Sequence, residues 1–342
     1  MPNLFEEISN PNYCSKLVLD SLEKDTLLSC LKKMIHIRKV EQRLALERKN
    51  NKIGGPIHLG VGQEAIAAGL SESLTANDKI FGAHRSHSHL LSMNPDEHKL
   101  FAEVLGKDTG FSKGMGGSMH LWDKGSGFYG SVPIVSGTVP LALGCALSCK
   151  MKKTDSLAVA YLGDGAVEEG VVHESLNFAS TFNLPIIFVV ENNLFSSHMH
   201  ISLRQPAKST ERFAEANLIK SSVVDGNNIG DVLRVSRFAT NYVRNSMKPY
   251  FIEFITYRWF GHVDWREDVD VGVNRSKNDI SAWKSRDPIK QLQDALIKLN
   301  YISINKISEL EEEIDKRINK SWKQAEKDPY PKPEELLKRV LK

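Results

Sequence analysis

Apolar residues between positions 157 and 195 form two short runs separated by a segment of helical periodicity. The runs Leu157–Leu162 and Pro185–Val190 are rich in β-branched residues and have the length of buried parallel strands. Between them, apolar residues recur at helical spacing, at Val167, Val171, Val172, Leu176 and Ala179. The pattern predicts a strand–helix–strand crossover, which brings the carboxyl ends of both strands to one edge of a parallel sheet.

Similar patterns extend along the rest of the chain. A long helix is predicted over Lys24–Lys49, with its many Arg and Lys residues on a solvated face, and an apolar helix over Val139–Met151, which should be buried. Further helices are predicted over Ile229–Asn245, Asp287–Leu299 and Ile304–Glu326, and further strands over Asp78–Phe81, Val223–Asp225 and Tyr250–Tyr257. The alternation predicts one α/β domain with a doubly wound, mostly parallel sheet and helices on both faces, its core over about 24–262 and a helical tail over about 283–342.

Composition and charge narrow the class of protein. The 342 residues are 41% hydrophobic and 25% charged, as in ordinary globular proteins, and the net charge of +3 is dispersed, which argues against a nucleic-acid partner. No apolar run is long enough to span a membrane and the first residues are too polar for a signal peptide, so a cytoplasmic protein is predicted. Cys145 and Cys149 lie one helical turn apart in an apolar segment and are predicted to be reduced core residues.

Polar residues follow the two strands of the crossover. Gly163-Asp164-Gly165 comes after the first strand, and Glu191-Asn192-Asn193 comes after the second. A carboxylate and a carboxamide therefore meet beside a glycine turn that is predicted to open a helix. Oxygen ligands and a helix N-terminus are typical of a site for a magnesium-bound phosphate. The alternative is a common nucleotide-binding crossover with a chance acidic turn.

A group of histidines around an arginine follows the predicted strand at Asp78–Phe81. It comprises His84, Arg85, His87 and His89. A transition-metal site is disfavoured, because no Cys, Asp or Glu lies at ligand spacing and Arg85 would repel a cation. An anion site is favoured, in which the guanidinium binds phosphate and a histidine moves protons. Histidines packed for structural reasons at a strand end are the alternative.

Two other segments carry candidate chemistry. Gly106–Gly137 is rich in glycine and has no repeat, and a loop of that length in a domain is more often functional than filler. The strand predicted at Tyr250–Tyr257 is followed by Arg258-Trp259-Phe260-Gly261-His262, which is again a polar group at a strand end.

Six segments together carry a family resemblance. In chain order they read HLGVGQEA, AHRSH, GGSMH, IVSG, GDG…EGVVHE…N…P…ENN and YRWFGH. They resemble the alpha subunit of thiamine-diphosphate-dependent 2-oxo acid dehydrogenases, the decarboxylating first component of the pyruvate, branched-chain 2-oxo acid and acetoin dehydrogenase complexes. The resemblance runs from about Leu27 to about His262. It implies the thiamine-diphosphate-binding fold, with thiamine diphosphate and magnesium as cofactors.

The resemblance also implies roles for individual residues. Asp164 and Asn193 match the side-chain ligands of magnesium, and the carbonyl oxygen of Phe195 matches the third protein ligand. The matches to cofactor-binding positions are His84, Arg85, Val135, Gly163, Asp164, Gly165, Ala166, Asn193 and His262, and the matches to active-site histidines are His58, His87 and His262. His84 stands where the family usually has tyrosine, and Pro133 stands where relatives have glycine and so lacks an amide donor.

The implied reaction is decarboxylation of a 2-oxo acid and transfer of the acyl group to a lipoyl-bearing acyltransferase. In this family the glutamate that activates the cofactor belongs to a second polypeptide, the beta subunit, and nothing in this chain resembles its pyrimidine-binding domain. We therefore expect half of an α2β2 enzyme, inactive alone. Two alternatives are a two-subunit thiamine-dependent carboligase or transketolase-like enzyme of a biosynthetic pathway, and a degenerate subunit retained for assembly.

The sequence departs from the family after His262. Val263 stands where pyruvate-type relatives have a serine that animal kinases phosphorylate, so we do not expect that regulation. The acidic stretch Asp264–Asp270 is expected near the mouth of the active site and suggests an unusual acceptor or substrate. Glu168 and Glu169 replace a neutral pair and resemble the transketolase form of this turn.

Overall fold

A parallel sheet forms the centre of the structure, a computed structural model that describes residues 4–268 and 275–340. The strands are β1 (Lys79–Phe81), β2 (Phe128–Gly130), β3 (Ala158–Gly163), β4 (Ile186–Asn192), β5 (Phe195–Ser196), β6 (Met199–His200), β7 (Lys220–Asp225) and β8 (Tyr250–Ile255). Six of them form a sheet in the order β2-β1-β3-β4-β8-β7 with every pair parallel, whereas β5 and β6 form a separate antiparallel hairpin. The carboxyl ends of the six strands therefore share one edge.

Helices connect and cover these strands. They are α1 (Leu4–Ile8), α2 (Lys24–Lys49), α3 (Glu64–Ser71), α4 (His87–Met93), α5 (Glu97–Val104), α6 (Val139–Met151), α7 (Gly170–Thr181), α8 (Glu211–Ala216), α9 (Ile229–Ser246), α10 (Lys277–Ser285), α11 (Pro288–Lys298), α12 (Ile304–Lys327) and α13 (Glu335–Val340). Across the described ranges, none of them combines the length and the apolar character that crossing a membrane requires.

The predicted α/β architecture is confirmed. Alternate residues of β3 enter different cores, since Val159 and Tyr161 join one apolar cluster while Ala160 and Leu162 join the other. Helices α2, α3, α9, α11 and α12 contribute to the first cluster, and α6, α7 and α8 contribute to the second. The sheet is therefore covered on both faces, which explains why its central strands, β3, β4 and β8, are almost entirely buried. The division into core and tail at about 24–262 and 283–342 stays a prediction.

Two local predictions were wrong. Strand β2 lies within the glycine-rich segment, where a three-residue strand leaves no apolar run to detect. The crossover helix does not open directly after Gly165, because a 3₁₀ turn at Ala166–Glu168 intervenes and α7 begins at Gly170.

The sequence pattern predicted that the charges of α2 lie on a solvated face, but several of them are buried. Arg38 is buried and makes a bidentate ion pair with Glu64, and its Nη2 also lies 3.0 Å from Asp287 Oδ1. Glu41 is buried on the same helix and accepts the backbone N–H of Gly60 at 2.8 Å. These partners come from segments distant in the chain, so the buried charges of α2 tie the tail and the loop before α3 to the core.

Helix α6 is only partly buried, contrary to the prediction. Val139, Ala142 and Ala146 face the core, but Leu141 is 56% exposed and Met151 is 75% exposed. The helix is apolar on all sides, which is unusual for a surface element. Both predicted core cysteines are free thiols, with Cys149 buried and Cys145 half-buried.

The glycine-rich segment is organised by one buried carboxylate. Glu103 is fully buried at the end of α5. Its two oxygens accept four backbone N–H groups, those of Ser112 at 2.6 Å, Gly114 at 3.0 Å, Gly116 at 2.7 Å and Gly117 at 3.1 Å. Residues 112–117, which form no helix or strand, are thereby given a fixed shape, because a buried carboxylate stabilises several oriented amides at once.

Glu103→Gln should therefore destabilise the chain by about 2–3 kcal/mol, because the carboxamide offers one accepting oxygen and turns an NH₂ group toward amides that also donate. The midpoint of thermal or denaturant unfolding measures the effect. Glu174→Gln, the same change on the exposed face of α7, is the control and should shift stability by no more than about 0.5 kcal/mol. Equal shifts in the two variants would contradict this role of Glu103.

Candidate functional site

A cavity of about 330 Å³ opens at the carboxyl edge of the sheet. It is lined by residues that follow β1, β3, β4 and β8, together with residues of the glycine-rich segment. The predicted site residues that line it are His58, His84, Arg85, Val135, Gly163, Asp164, Gly165, Ala166, Asn193, Phe195 and His262. The common direction of the strands brings the residues after β1, β3, β4 and β8 to the place where open α/β sheets bind ligands. His58 reaches the cavity from the segment before α3, and Val135 reaches it from the glycine-rich segment.

The candidate oxygen ligands lie where β3 and β4 end. Gly163 pairs with Glu191 in register, so Asp164 and Asn193 leave neighbouring strands at nearly the same height. Both side chains are buried. The Asn193 side chain is oriented by two hydrogen bonds, since Nδ2 donates to Gln63 Oε1 at 3.2 Å and Oδ1 accepts the N–H of Phe195 at 3.3 Å. A carboxylate, a carboxamide oxygen and the nearby carbonyl of Phe195 are the hard donors that magnesium prefers.

An arginine to which the sequence pattern gave no role, Arg204, makes an ion pair with Asp164. The guanidinium of Arg204 bridges Asp164 and Glu168, with one terminal nitrogen on each carboxylate. Burial raises the pKa of Asp164, and the charge of Arg204 and its hydrogen bond oppose that rise. Arg204 follows the β5–β6 hairpin in a polar loop, and no periodicity or spacing in the sequence connects it with Asp164.

The turn after β3 requires glycine for a steric reason. A Cβ atom on Gly165 would overlap the side chain of Ser196 in β5. The next residue, Ala166, begins the 3₁₀ turn, and its carbonyl accepts a hydrogen bond from Ser136 Oγ at 2.6 Å. The hydroxyl of Ser136 thus fixes the glycine-rich segment, which carries Val135, against this turn.

Three histidine rings meet at another part of the cavity wall. The ring centroid of His58 lies 4.8 Å from that of His84 and 5.1 Å from that of His262. The ring centroids of His84 and His262 are 5.5 Å apart. Burial and the neighbouring arginines lower the pKa of His58 and His262 to about 3 and that of His84 to about 2. All three imidazoles are therefore neutral at pH 7, and the buried Nδ1 of His58 has no hydrogen-bond partner in the described part of the chain.

Two buried arginines accompany the histidines. Arg85 donates to the carbonyl oxygens of Leu59 at 2.7 Å and His262 at 3.3 Å, and burial lowers its pKa to about 10. Arg258 donates to Ser197 O at 2.6 Å, and burial and Arg85 lower its pKa. The ligand atoms of the three histidines lie within 4.8 Å of one another, a spacing open to a metal ion. The two cations make this end of the cavity a better place for an anion.

The loop that carries His262 is held by buried contacts. Arg275 Nη2 donates to the carbonyl oxygens of Arg258, Trp259 and Phe260 at 2.8, 3.1 and 3.0 Å. The carboxylate of Asp268 accepts the backbone N–H of His262 at 2.6 Å. A side chain on Gly261 would overlap that carboxylate, so the loop needs glycine there.

The acidic stretch after His262 makes internal contacts over its described part. Asp264 Oδ1 lies 3.0 Å from Arg48 Nε, and Glu267 Oε1 lies 3.2 Å from Lys284 Nζ. Asp268 also lies 3.2 Å from His198 Nε2. These carboxylates make contacts within the fold, and the expectation of an unusual acceptor or substrate stays a prediction. The prediction for residues 269 and 270 lies outside the described residues.

The structure separates two histidines that are close in sequence. His87, a predicted catalytic residue, does not line the cavity; it is buried, with Nε2 2.8 Å from Ser118 Oγ and Nδ1 3.3 Å from Glu41 Oε1. His89 does line the cavity, stacks on Tyr161 with ring centroids 3.7 Å apart, and has Nε2 3.1 Å from Glu191 Oε1. The sequence reading placed His89 in the loop but gave it no role.

Comparison with known proteins identifies the family of the chain. Residues 32–334 match the family described as dehydrogenase E1 component. The chain is 34% identical over 318 residues to the alpha subunit of acetoin:2,6-dichlorophenolindophenol oxidoreductase of Bacillus subtilis, covering 93% of this chain and 94% of the relative. It is 30% identical over 317 residues to the pyruvate dehydrogenase E1 component subunit alpha of Rickettsia bellii, covering 93% and 96%. It is 34% identical over 317 residues to the somatic mitochondrial form of that subunit in Homo sapiens, covering 92% and 79%.

Proposed function

Because the chain belongs to the dehydrogenase E1 component family, as the alpha subunit of a 2-oxo acid dehydrogenase, we propose that its cavity holds the magnesium-bound diphosphate of thiamine diphosphate. The family implies this cofactor and a beta subunit. The observation that carries the proposal is the convergence of Asp164, Asn193 and Phe195 at the end of β3 and β4, on the wall of one cavity.

The donor set fits the metal. Asp164 Oδ, Asn193 Oδ1 and the carbonyl oxygen of Phe195 would be the protein ligands, and diphosphate and water would supply the remaining oxygens that octahedral magnesium requires. Asp164 already holds a cation in this structure, the guanidinium of Arg204, which supports its suitability as a ligand of positive charge. Gly165 and Ala166 would present their backbone amides to the diphosphate from the 3₁₀ turn, and Gly163 would let the cofactor approach the strand end.

The remaining residues act around the reacting end of the cofactor. Bound thiamine diphosphate supplies the carbon nucleophile at which a 2-oxo acid loses carbon dioxide. Val135 would support the cofactor from the glycine-rich segment, and Arg85 with His84 would bind anionic oxygen. His58 and His262, as neutral imidazoles, would donate hydrogen bonds to oxygen that gains negative charge. His87, outside the cavity, would position the loop through Glu41 and Ser118.

An exposed apolar surface beside the cavity supports the partnership with a beta subunit. Ile134 is 72% exposed, Val135 is 47% exposed and Leu141 of α6 is 56% exposed. Clustered exposed apolar side chains mark interaction surfaces. We infer that the beta subunit covers this surface in an α2β2 enzyme and completes the site, and that a lipoyl group accepts the product.

The proposed function is tested by co-expressing the chain with its beta subunit and measuring carbon dioxide release with magnesium, thiamine diphosphate and an artificial electron acceptor. Pyruvate, branched-chain 2-oxo acids and 2-oxoglutarate are the substrates to compare. We expect release from one of these classes, dependent on both subunits and on the cofactor. A complex that binds no cofactor, or turnover by the isolated chain, would contradict the proposal. Turnover that requires an aldehyde in place of the electron acceptor would favour a carboligase.

A further inference from the structure

Arg204 lies between two carboxylates at the metal-binding end of the cavity. Its Nη2 contacts Asp164 and its Nη1 contacts Glu168, and only 8% of the side-chain surface is exposed. The third nitrogen, Nε, lies 3.2 Å from the carbonyl oxygen of Met199. The guanidinium therefore occupies one oxygen, Oδ2, of the carboxylate proposed to bind the metal.

The electrostatic setting explains why a cation is required there. Asp164 is 1% exposed, and its burial disfavours the charged carboxylate. A buried charge without a counter-ion is strongly destabilising. The ion pair with Arg204 opposes this effect. In the chain without cofactor, Arg204 is thus the counter-ion of Asp164.

We propose that Arg204 is a positioning residue that holds Asp164 in the metal-free subunit and is exchanged for the magnesium ion when the cofactor binds. The inference rests on the proposed function, since it takes Asp164 as a metal ligand. Arg204 lies on Oδ2 of Asp164, and a metal ion bound to this buried carboxylate would repel the guanidinium. Metal binding therefore favours the departure of Arg204 from Asp164.

The surroundings of Arg204 allow this exchange. Glu168 is 30% exposed and lies in the short 3₁₀ turn, so it can keep one nitrogen of the guanidinium while the other leaves Asp164. Arg204 belongs to the loop that begins at Phe195, whose carbonyl is the proposed third ligand. The departure of Arg204 and the arrival of the metal thus act on one short segment, and the free subunit keeps its site ordered before loading.

The experiment measures the affinity for Mn²⁺, a paramagnetic substitute for Mg²⁺, in the complex of the full chain with its beta subunit at saturating thiamine diphosphate. The electron paramagnetic resonance signal of free Mn²⁺ gives the dissociation constant. If Arg204 occupies Asp164 in about nine of ten metal-free molecules, Arg204→Gln should lower that constant about tenfold. The same variant should lower the melting temperature of the metal-free complex, and Mn²⁺ with cofactor should abolish the difference.

Two further variants make the result specific. Lys208→Gln removes one exposed positive charge from the same loop and should leave the Mn²⁺ affinity unchanged. Arg204→Lys keeps the charge without the two-pronged geometry and should give an intermediate affinity. An Arg204→Gln complex that binds Mn²⁺ as the wild type does, or more weakly, would overturn the exchange. A wild-type complex without cofactor-dependent Mn²⁺ binding would instead overturn the proposed function.

Discussion

Asp164→Asn should weaken magnesium-dependent binding of thiamine diphosphate by at least about 100-fold, because even changes next to a metal ligand commonly cost 10- to 100-fold. The substitution keeps the shape of the side chain and removes its charge. The chain should stay folded, since burial already disfavours the charged form of Asp164 and the asparagine needs no counter-ion. Quenching of tryptophan fluorescence by added cofactor, with and without magnesium, gives the affinity in the complex with the beta subunit.

Glu168→Gln is the matched control for this prediction. It removes the same charge from the other carboxylate that holds Arg204, but Glu168 is 30% exposed and is not a proposed ligand. Its effect on cofactor affinity should be much smaller than that of Asp164→Asn. If both variants lost affinity equally, the role of Asp164 would be that of one charge among several, and the proposed metal ligand would have to be sought elsewhere.

The strand ends that form the site could be predicted because local patterns determine them. The apolar runs of β3 and β4 are long enough to identify, and parallel pairing then places Asp164 and Asn193 side by side without further information. The predicted bounds of α2 and α6 agree with the structure, because amphipathic or apolar periodicity over many residues averages out local exceptions.

Contacts between distant charged residues could not be predicted. Arg38 lies against Asp287, and Glu103 accepts the backbone N–H of Gly114. From the sequence alone, charged residues of this kind are expected on the solvated surface. Arg204 reaches Asp164 in the same way. Charge pairs of this kind depend on which segments fold against each other, and hydrophobic periodicity carries no information about that.

The histidines show a further limit of reading spacing alone. His87 and His89 both lie in the first turn of α4. Two residues along an α-helix differ in direction by about 200°, so only one of the pair can face the cavity. His89 lines the cavity, whereas His87 points away from it toward Glu41 and Ser118, with which its ring nitrogens make hydrogen bonds. A family motif identified His87 as important but did not determine which way its ring points.

His262→Asn should lower kcat about 100-fold or more while changing the affinity for thiamine diphosphate little, because acid–base and hydrogen-bonding groups commonly contribute factors of 10² to 10⁴ to the chemical step. The ring lines the cavity beside His58 and His84, and His262 is not one of the proposed oxygen ligands. Its loop is held through the backbone N–H by Asp268, a contact that asparagine preserves. The rate of carbon dioxide release and the fluorescence titration separate the two effects.

His173→Asn is the matched control, since His173 of α7 packs against Phe213 of α8, with ring centroids 4.6 Å apart, and does not line the cavity. It should leave kcat unchanged. An unchanged kcat in His262→Asn would remove the histidine from the chemistry, whereas a loss of cofactor affinity would make it a binding residue. Because the pKa of His262 is lowered to about 3, its ring is neutral between pH 5 and 8 in the free chain. The defect of the variant should therefore be similar across that range, as expected for a hydrogen-bonding imidazole and not for one that must first gain a proton from solvent.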